Sequence, residues 1–217
     1  MNRILGDHQN EVLESLPQSI TESFVFSGGT ALAAYYLHHR LSEDLDFVAL
    51  EPDQPVQFNA IKGILSARYT IHSSNKLYER CMYFLSLNRS TLKLEFVPLY
   101  FPRLNPVASR EHILVESLED LTANKIMALA DRFEVKDFVD IYCIHQKTGW
   151  ALTDMIDMAR KRNPMPYEYT INVQRIIQYS EGIHTLSFVV PVKVDDIISF
   201  FSDADQKIKS ALSSDFD

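Results

Sequence analysis

A chain of 217 residues that is 46% hydrophobic and 23% charged has the composition of a globular protein, which excludes a disordered or low-complexity scaffold. Its 21 Lys and Arg against 29 Asp and Glu leave a net charge of -8. That excludes a protein coating nucleic acid over its whole surface; a polynucleotide would be held at a local patch, or with metal ions offsetting the acids. A chain of this size buries roughly 70% of its unfolded surface, enough for one domain or one domain with a helical annex.

In chain order, a first helix is expected over residues 3–16, stopping at Pro17. Phe24-Val25-Phe26 is a short β-like run that ends in Ser27-Gly28-Gly29-Thr30. Residues 31–39 (ALAAYYLHH) then read as a helix, because Ala and Leu are strong helix formers. Residues 45–50 (LDFVAL) form the next strand, closed by the breaker-rich EPDQP. A helix follows over 55–67, then three strand-like runs, RYTIH, RCMYFLSL and TLKLEFVPLY, with Asn88-Arg89-Ser90 as a turn between the last two. The loop FPRLNP separates this mixed half from a helical one. Ser117-Leu118-Glu119-Asp120 resembles a capping box, with Asp in place of Glu or Gln, and opens a helix running to about Arg132. Further helices are expected over 134–146, 150–162, near 170–180 and over 193–212, with NPMP at 163–166 as a break.

No repeat is visible. Cys81 and Cys143 are far apart and show no CxxC spacing, so neither a disulfide framework nor a zinc site is expected. The opening MNRILGDHQN turns polar at once, unlike a secretory leader. No apolar run approaches the ~20 residues of a membrane span. A soluble cytoplasmic protein that makes no use of a membrane is the expectation.

The chemistry concentrates in FSGGTALAAYYLHHRLSEDLDFV. Asp44 and Asp46 are two apart, so on a strand both carboxylates point one way while Leu45 and Phe47 point the other, into a core. Two such charges at about 4 Å repel by roughly 4 kcal/mol at an effective dielectric near 20. A divalent cation resolves the clash, and Mg²⁺ is commonly held by one or two carboxylates plus substrate phosphates. A D-x-D alone reads equally as a solvated strand start. The context strengthens it: Gly28-Gly29 follows a strand and precedes a helix whose free N–H groups suit a phosphate. Arg40 and Ser42, just before the acids, can reach a phosphate or serve as caps.

Glu95 in LKLEFVP is a candidate third carboxylate on a strand beside the acid pair, or a surface Glu next to Lys93. Lys125 falls in line with Leu118, Leu121 and Leu129 on a helix, and either snorkels to water or points at an anion such as a triphosphate. Asp137 lines up with Ile141 and Ile144, as a structural partner of a base or as a ligand contact. Asp140 lies four after Lys136, the spacing of a helical salt bridge. His38 and His39 diverge on a helix and read as surface or partly packed; Arg160-Lys161-Arg162 favours a helix dipole; Tyr167–Tyr169 reads as packing.

Gly28-Gly29-Thr30-Ala31-Leu32 and His39-Arg40-Leu41-Ser42-Glu43-Asp44-Leu45-Asp46-Phe47 resemble the signature of the AbiEii/AbiGii-type nucleotidyltransferase toxins, in the DNA polymerase β-like superfamily. Ser117-Leu118-Glu119-Asp120-Leu121 with Lys125, then Arg132 and Lys136-Asp137-Phe138-Val139-Asp140, are similar to that family's later motifs. The resemblance covers roughly residues 22–142. It implies an α+β fold: a mixed sheet with flanking helices over residues 1–115, then a helical part over 116–217 that shares the active-site cleft. It implies that Asp44 and Asp46 bind Mg²⁺, with Glu95 as the third metal carboxylate. Gly28, Gly29 and Thr30 would hold the phosphates, and Lys125 and Asp137 would be further active-site residues. Two Mg²⁺ ions are implied in the active complex, clamping the entering and leaving oxygens. The implied partners are an NTP, an acceptor RNA such as tRNA or an acceptor protein, and a cognate antitoxin. Transfer to a small molecule, as in aminoglycoside modification, is the alternative activity. A non-catalytic nucleotide-binding protein on the same fold is the alternative without one.

Overall fold

Short runs of alternating apolar residues become strands here, and Gly, Pro and Asn punctuate them. The computed structural model describes residues 4–88, 90–132, 134–166, 175, 176, 178 and 180–214. The chain divides into two units, Met1–Ser117 and Leu118–Asp217.

The first unit opens with helices α1 (Asp7–Ser15) and α2 (Gln18–Thr21), separated at Pro17. Strand β1 (Phe24–Ser27) runs directly into α3 (Gly28–Leu32), which widens into a π-helical turn over Ala33–Leu37. His38, in the left-handed region at φ 53°, ends it. The helix thus starts three residues before the expected Ala31, because hydrogen bonding begins within the glycine pair itself. Then come β2 (Leu45–Ala49), α4 (Phe58–Ser66), β3 (Thr70–Leu77), β4 (Arg80–Leu87) and β5 (Ser90–Val97). Two three-residue strands, β6 (Ala108–Arg110) and β7 (Ile113–Val115), lie beyond FPRLNP where no strand is expected from sequence.

The strands form one seven-stranded mixed sheet in the order β3-β4-β5-β2-β1-β7-β6. β2 is antiparallel to β1 and parallel to β5. Leu45, Phe47 and Ala49 are buried on one face, and Asp46 and Val48 lie half-buried on the other. The buried face is aromatic. Phe47 stacks on Phe96 at 4.9 Å, Phe26 lies 5.5 Å from Phe47, and Phe24 meets Phe96 edge-on at 5.0 Å. Each such ring contributes roughly 1.5–3 kcal/mol when removed from water. Tyr83 joins the cluster, and its hydroxyl donates to Phe58 O at 2.8 Å. Arg103, from the FPRLNP loop, donates to Ala49 O at 2.8 Å and so pins the loop to the end of β2.

The second unit is helical: α5 (Leu118–Asp131), α6 (Val135–Thr148), α7 (Leu152–Arg162), a 3₁₀ turn (Ser180–Thr185) and α8 (Val194–Ser214). Gly149, at φ 76°, closes α6 by donating its N–H to His145 O at 2.8 Å. Phe138 and Phe201 are fully buried and meet edge-on at 6.4 Å. The expected helix near 170–180 and the Tyr167–Tyr169 stretch fall largely outside the described residues. Among the described residues, no helix is long and apolar enough to cross a membrane. A mixed sheet with flanking helices, followed by a helical part, is the expected α+β arrangement.

Candidate active site

The glycine turn and the acid segment meet because β1 and β2 are neighbours. Their antiparallel register sets Ser27 opposite Asp46. The parallel register of β2 with β5 sets Asp46 opposite Glu95. Ser27, Asp46 and Glu95 therefore form a row across three strands, on the face opposite the aromatic core. Gly28 follows Ser27 at φ 72°, a backbone state that only glycine adopts without strain. A Cβ built on it would lie 2.1 Å from Asp46 Oδ2 and 2.8 Å from Asp46 Cγ. The Asp46 carboxylate thus lies directly against the glycine turn at the start of the helix. Thr30, buried in the first turn of α3, donates its hydroxyl to Asp44 O at 2.5 Å and ties the acid segment to the same turn.

Gly28→Ala is expected to destabilise the protein by about 1–3 kcal/mol, from backbone strain alone. It is also expected to push Asp46 out of its position. A urea midpoint identical to that of the unaltered protein would show that the turn relaxes without cost.

Two cations thread the carboxylates. Lys93 Nζ is 3.1 Å from Asp44 Oδ2 and 3.1 Å from Glu95 Oε2. Burial pulls the Lys93 ammonium down, but its hydrogen bonds and charge pairing with Asp44 and Glu95 outweigh that and hold its pKa above the ordinary lysine value. Arg80 takes the other oxygen of Glu95, with Nε donating to Oε1 at 2.6 Å. Glu95 is buried, so both its oxygens are neutralised from within the sheet.

Several supports were not apparent from sequence. Gln9, buried on α1, donates Nε2 to Ser42 O at 2.8 Å and so braces the loop before the acids. Ser27 donates its hydroxyl to the fully buried Glu116, whose carbonyl accepts from Tyr36 at 2.7 Å. Arg40 is buried, with Nη1 donating to Leu41 O at 3.1 Å, and Ser42 is half-buried. Of the two histidines, His38 is exposed and His39 is buried.

The second unit carries its own charge cluster. Lys125 Nζ lies 2.8 Å from Asp137 Oδ1 and 2.7 Å from Asp140 Oδ2, and both carboxylates are 0% exposed. Arg132 Nε also donates to Asp137, at 3.1 Å. The helical pair expected between Lys136 and Asp140 is not the one formed: Asp140 turns inward with Asp137, three residues earlier on the same face, and Lys136 pairs with Glu134 at 2.8 Å. Arg160, Lys161 and Arg162 occupy the last turn of α7 as expected, and Arg162 does more. It is also a buried clamp, donating to Asn124 Oδ1 at 2.7 Å and lying 3.4 Å from Asp120 Oδ1.

Asp44, Asp46 and Glu95 offer hard oxygen donors, the kind Mg²⁺ prefers. Among the described residues, no three acidic, imidazole or thiol side chains converge as a ready metal cage. The gap between Asp44 and Glu95 is nevertheless one that a cation fills, since the Lys93 ammonium sits in it. The chemistry of these donors suits a divalent ion, and in this arrangement the ammonium holds the position between Asp44 and Glu95.

Comparison with known proteins gives the chain's family and fold. Residues 11–183 match the family described as nucleotidyl transferase AbiEii toxin of type IV toxin–antitoxin systems. An uncharacterized protein of Aquifex aeolicus, aq_aa25, is 24% identical over 213 residues, covering 97% of this chain and 98% of that one. Two crystal structures from Helicobacter pylori share the fold, each with a TM-score of 0.61 at 18% identity over 97% of this chain. One is a candidate nucleotidyltransferase, matched over 98% of its length, and the other is JHP933, matched over 97%. A sheet that sets a glycine turn against paired acids, in a chain matched by this family model over most of its length, belongs to the AbiEii nucleotidyltransferase toxin family of type IV toxin–antitoxin systems.

Proposed function

We propose that the protein transfers a nucleoside monophosphate from an NTP to an acceptor hydroxyl in a Mg²⁺-dependent reaction. The observation that carries this is the packing of the Asp46 carboxylate against Gly28, where a strand turns into a helix. Gly28, Gly29 and Thr30 would receive the phosphates, because a helical N-terminus presents N–H groups and a favourable dipole. Asp44, Asp46 and Glu95 would hold Mg²⁺, which when bound supplies charge neutralisation and a more acidic attacking hydroxyl. The acceptor oxygen would bond to the α-phosphorus as the bond to the bridging oxygen breaks, and pyrophosphate would leave.

Gln9 and Thr30 serve this chemistry by fixing the backbone on both sides of Glu43. Arg80 orients Glu95 from the outside, as carboxylate ligands generally require. Lys125 and Asp137 are read as the ionic core of the second unit, whose loss disturbs the fold before it disturbs nucleotide binding.

The acceptor we favour is RNA, with protein as the second choice, in line with the toxin family. A cognate antitoxin would then be the physiological partner. The test is incubation of the purified protein with each α-labelled NTP, Mg²⁺ and either total RNA or lysate protein. Label is expected in RNA, from one preferred NTP, and none in EDTA. Label in an aminoglycoside fraction would move the assignment to small-molecule transfer. Tight NTP binding indifferent to Mg²⁺, with no label transferred to any fraction, would leave only a nucleotide-binding protein.

A further inference from the structure

Asp46 and Glu95 face each other on one sheet face, and Asp44, just before β2, shares the Lys93 ammonium with Glu95, so three acids gather where like charges repel. Such a site needs a counter-charge during folding and between catalytic cycles. Lys93 meets this need. It projects from β5 two residues before Glu95, hence on the same face, and its ammonium bridges Asp44 and Glu95 at 3.1 Å to each.

The two cations on Glu95 differ. Arg80 holds Oε1, and its head is half-exposed at the rim of β4. Lys93 holds Oε2 and also Asp44, so it occupies the space between two proposed metal ligands. Arg80 thus reaches Glu95 from the side away from Asp44's contact, whereas the Lys93 ammonium fills the space between Asp44 and Glu95.

We propose that Lys93 is a built-in counter-cation that occupies the metal position in the metal-free protein and must be displaced for the site to load. This rests on the reading of Asp44, Asp46 and Glu95 as metal ligands, and adds to it a residue that sets the metal affinity. Metal then competes with an internal lysine, so the affinity is weaker than the carboxylates alone would give. The metal-free protein in turn stays folded, because the acids are neutralised.

The test uses the full chain without nucleotide, and Mn²⁺ as the probe, with binding followed by calorimetry and stability by thermal unfolding. Lys93→Met keeps the aliphatic stem and removes the charge. It is expected to bind Mn²⁺ about tenfold more tightly than the unaltered protein, a gain of about 1.4 kcal/mol. In EDTA its melting temperature should fall below that of the unaltered protein, and saturating Mn²⁺ should abolish the deficit. Lys93→Arg, which keeps a cation on the same strand, should restore stability in EDTA. Asp44→Asn is the control that separates this proposal from the reading beneath it. If Asp44→Asn loses Mn²⁺ binding but Lys93→Met binds no tighter, the counter-cation is wrong and the metal site stands. If Asp44→Asn binds Mn²⁺ as the unaltered protein does, the acids are not the metal site and both fall. A Lys93→Met deficit that persists in saturating Mn²⁺ would make Lys93 a purely structural residue.

Discussion

Asp44→Asn is expected to reduce nucleotidyl transfer at least about a thousandfold while leaving the fold intact. The estimate follows from what a bound metal contributes to charge stabilisation, several kcal/mol, at about 1.4 kcal/mol per factor of ten. Asn keeps the shape of Asp and removes its charge, so sterics do not confuse the result. Stability should barely respond. Asp44 is half-exposed and, among the described residues, its ion pair is with Lys93, a type of contact worth about 1 kcal/mol or less. The backbone carbonyl that receives the Thr30 hydroxyl is retained. Label transfer and circular dichroism on one preparation decide the matter. Retained activity in a folded Asp44→Asn protein would remove that carboxylate from the chemistry. Lost activity with lost helix signal would instead make it a folding residue.

Lys125→Ala is expected to be the most destabilising of the substitutions considered, by about 3–5 kcal/mol. Removing the lysine leaves Asp137 and Asp140 both fully buried without its charge, with Arg132 still donating to Asp137. Breaking one side of a buried ion pair leaves the other charge poorly compensated in low dielectric, and here the lysine serves two carboxylates at once. For a chain of this size the melting temperature should fall by roughly 6–20 °C. The resemblance to the toxin family implies the other outcome, weakened nucleotide affinity in a stable protein, while the stripe pattern alone leaves Lys125 either snorkelling to water or facing an anion. Thermal unfolding with and without NTP separates the two. A melting temperature that barely moves, with NTP protection lost, would restore Lys125 as a phosphate contact.

The contrast marks what local pattern can carry. The alternation in Leu45-Asp46-Phe47-Val48-Ala49 identifies which side chains enter the core, and the structure buries Leu45, Phe47 and Ala49 accordingly. Gly28-Gly29 between an apolar run and an Ala-rich one similarly marks a strand-to-helix turn. What stays hidden depends on contacts between distant segments. That Lys93 reaches Asp44 requires β5 to lie beside β2 in one register, 49 residues apart in the chain. Asp140 and Lys136 satisfy the spacing rule for a helical pair, yet burial sends Asp140 to Lys125 instead. Arg160, Lys161 and Arg162 look alike in sequence, and only the packing of α7 against α5 selects Arg162 for Asp120 and Asn124. β6 and β7 span three residues each, too few to show any period.

The row Ser27–Asp46–Glu95 has one further consequence. Since side chains alternate along β2, the same two-residue beat that aims Asp46 outward drives Phe47 inward. An insertion or deletion of one residue within this strand would exchange them, sending the carboxylate among the phenylalanines and an aromatic ring into the bay at Gly28. A length change in this strand therefore costs two things at once, the buried aromatic core and the acid set against Gly28.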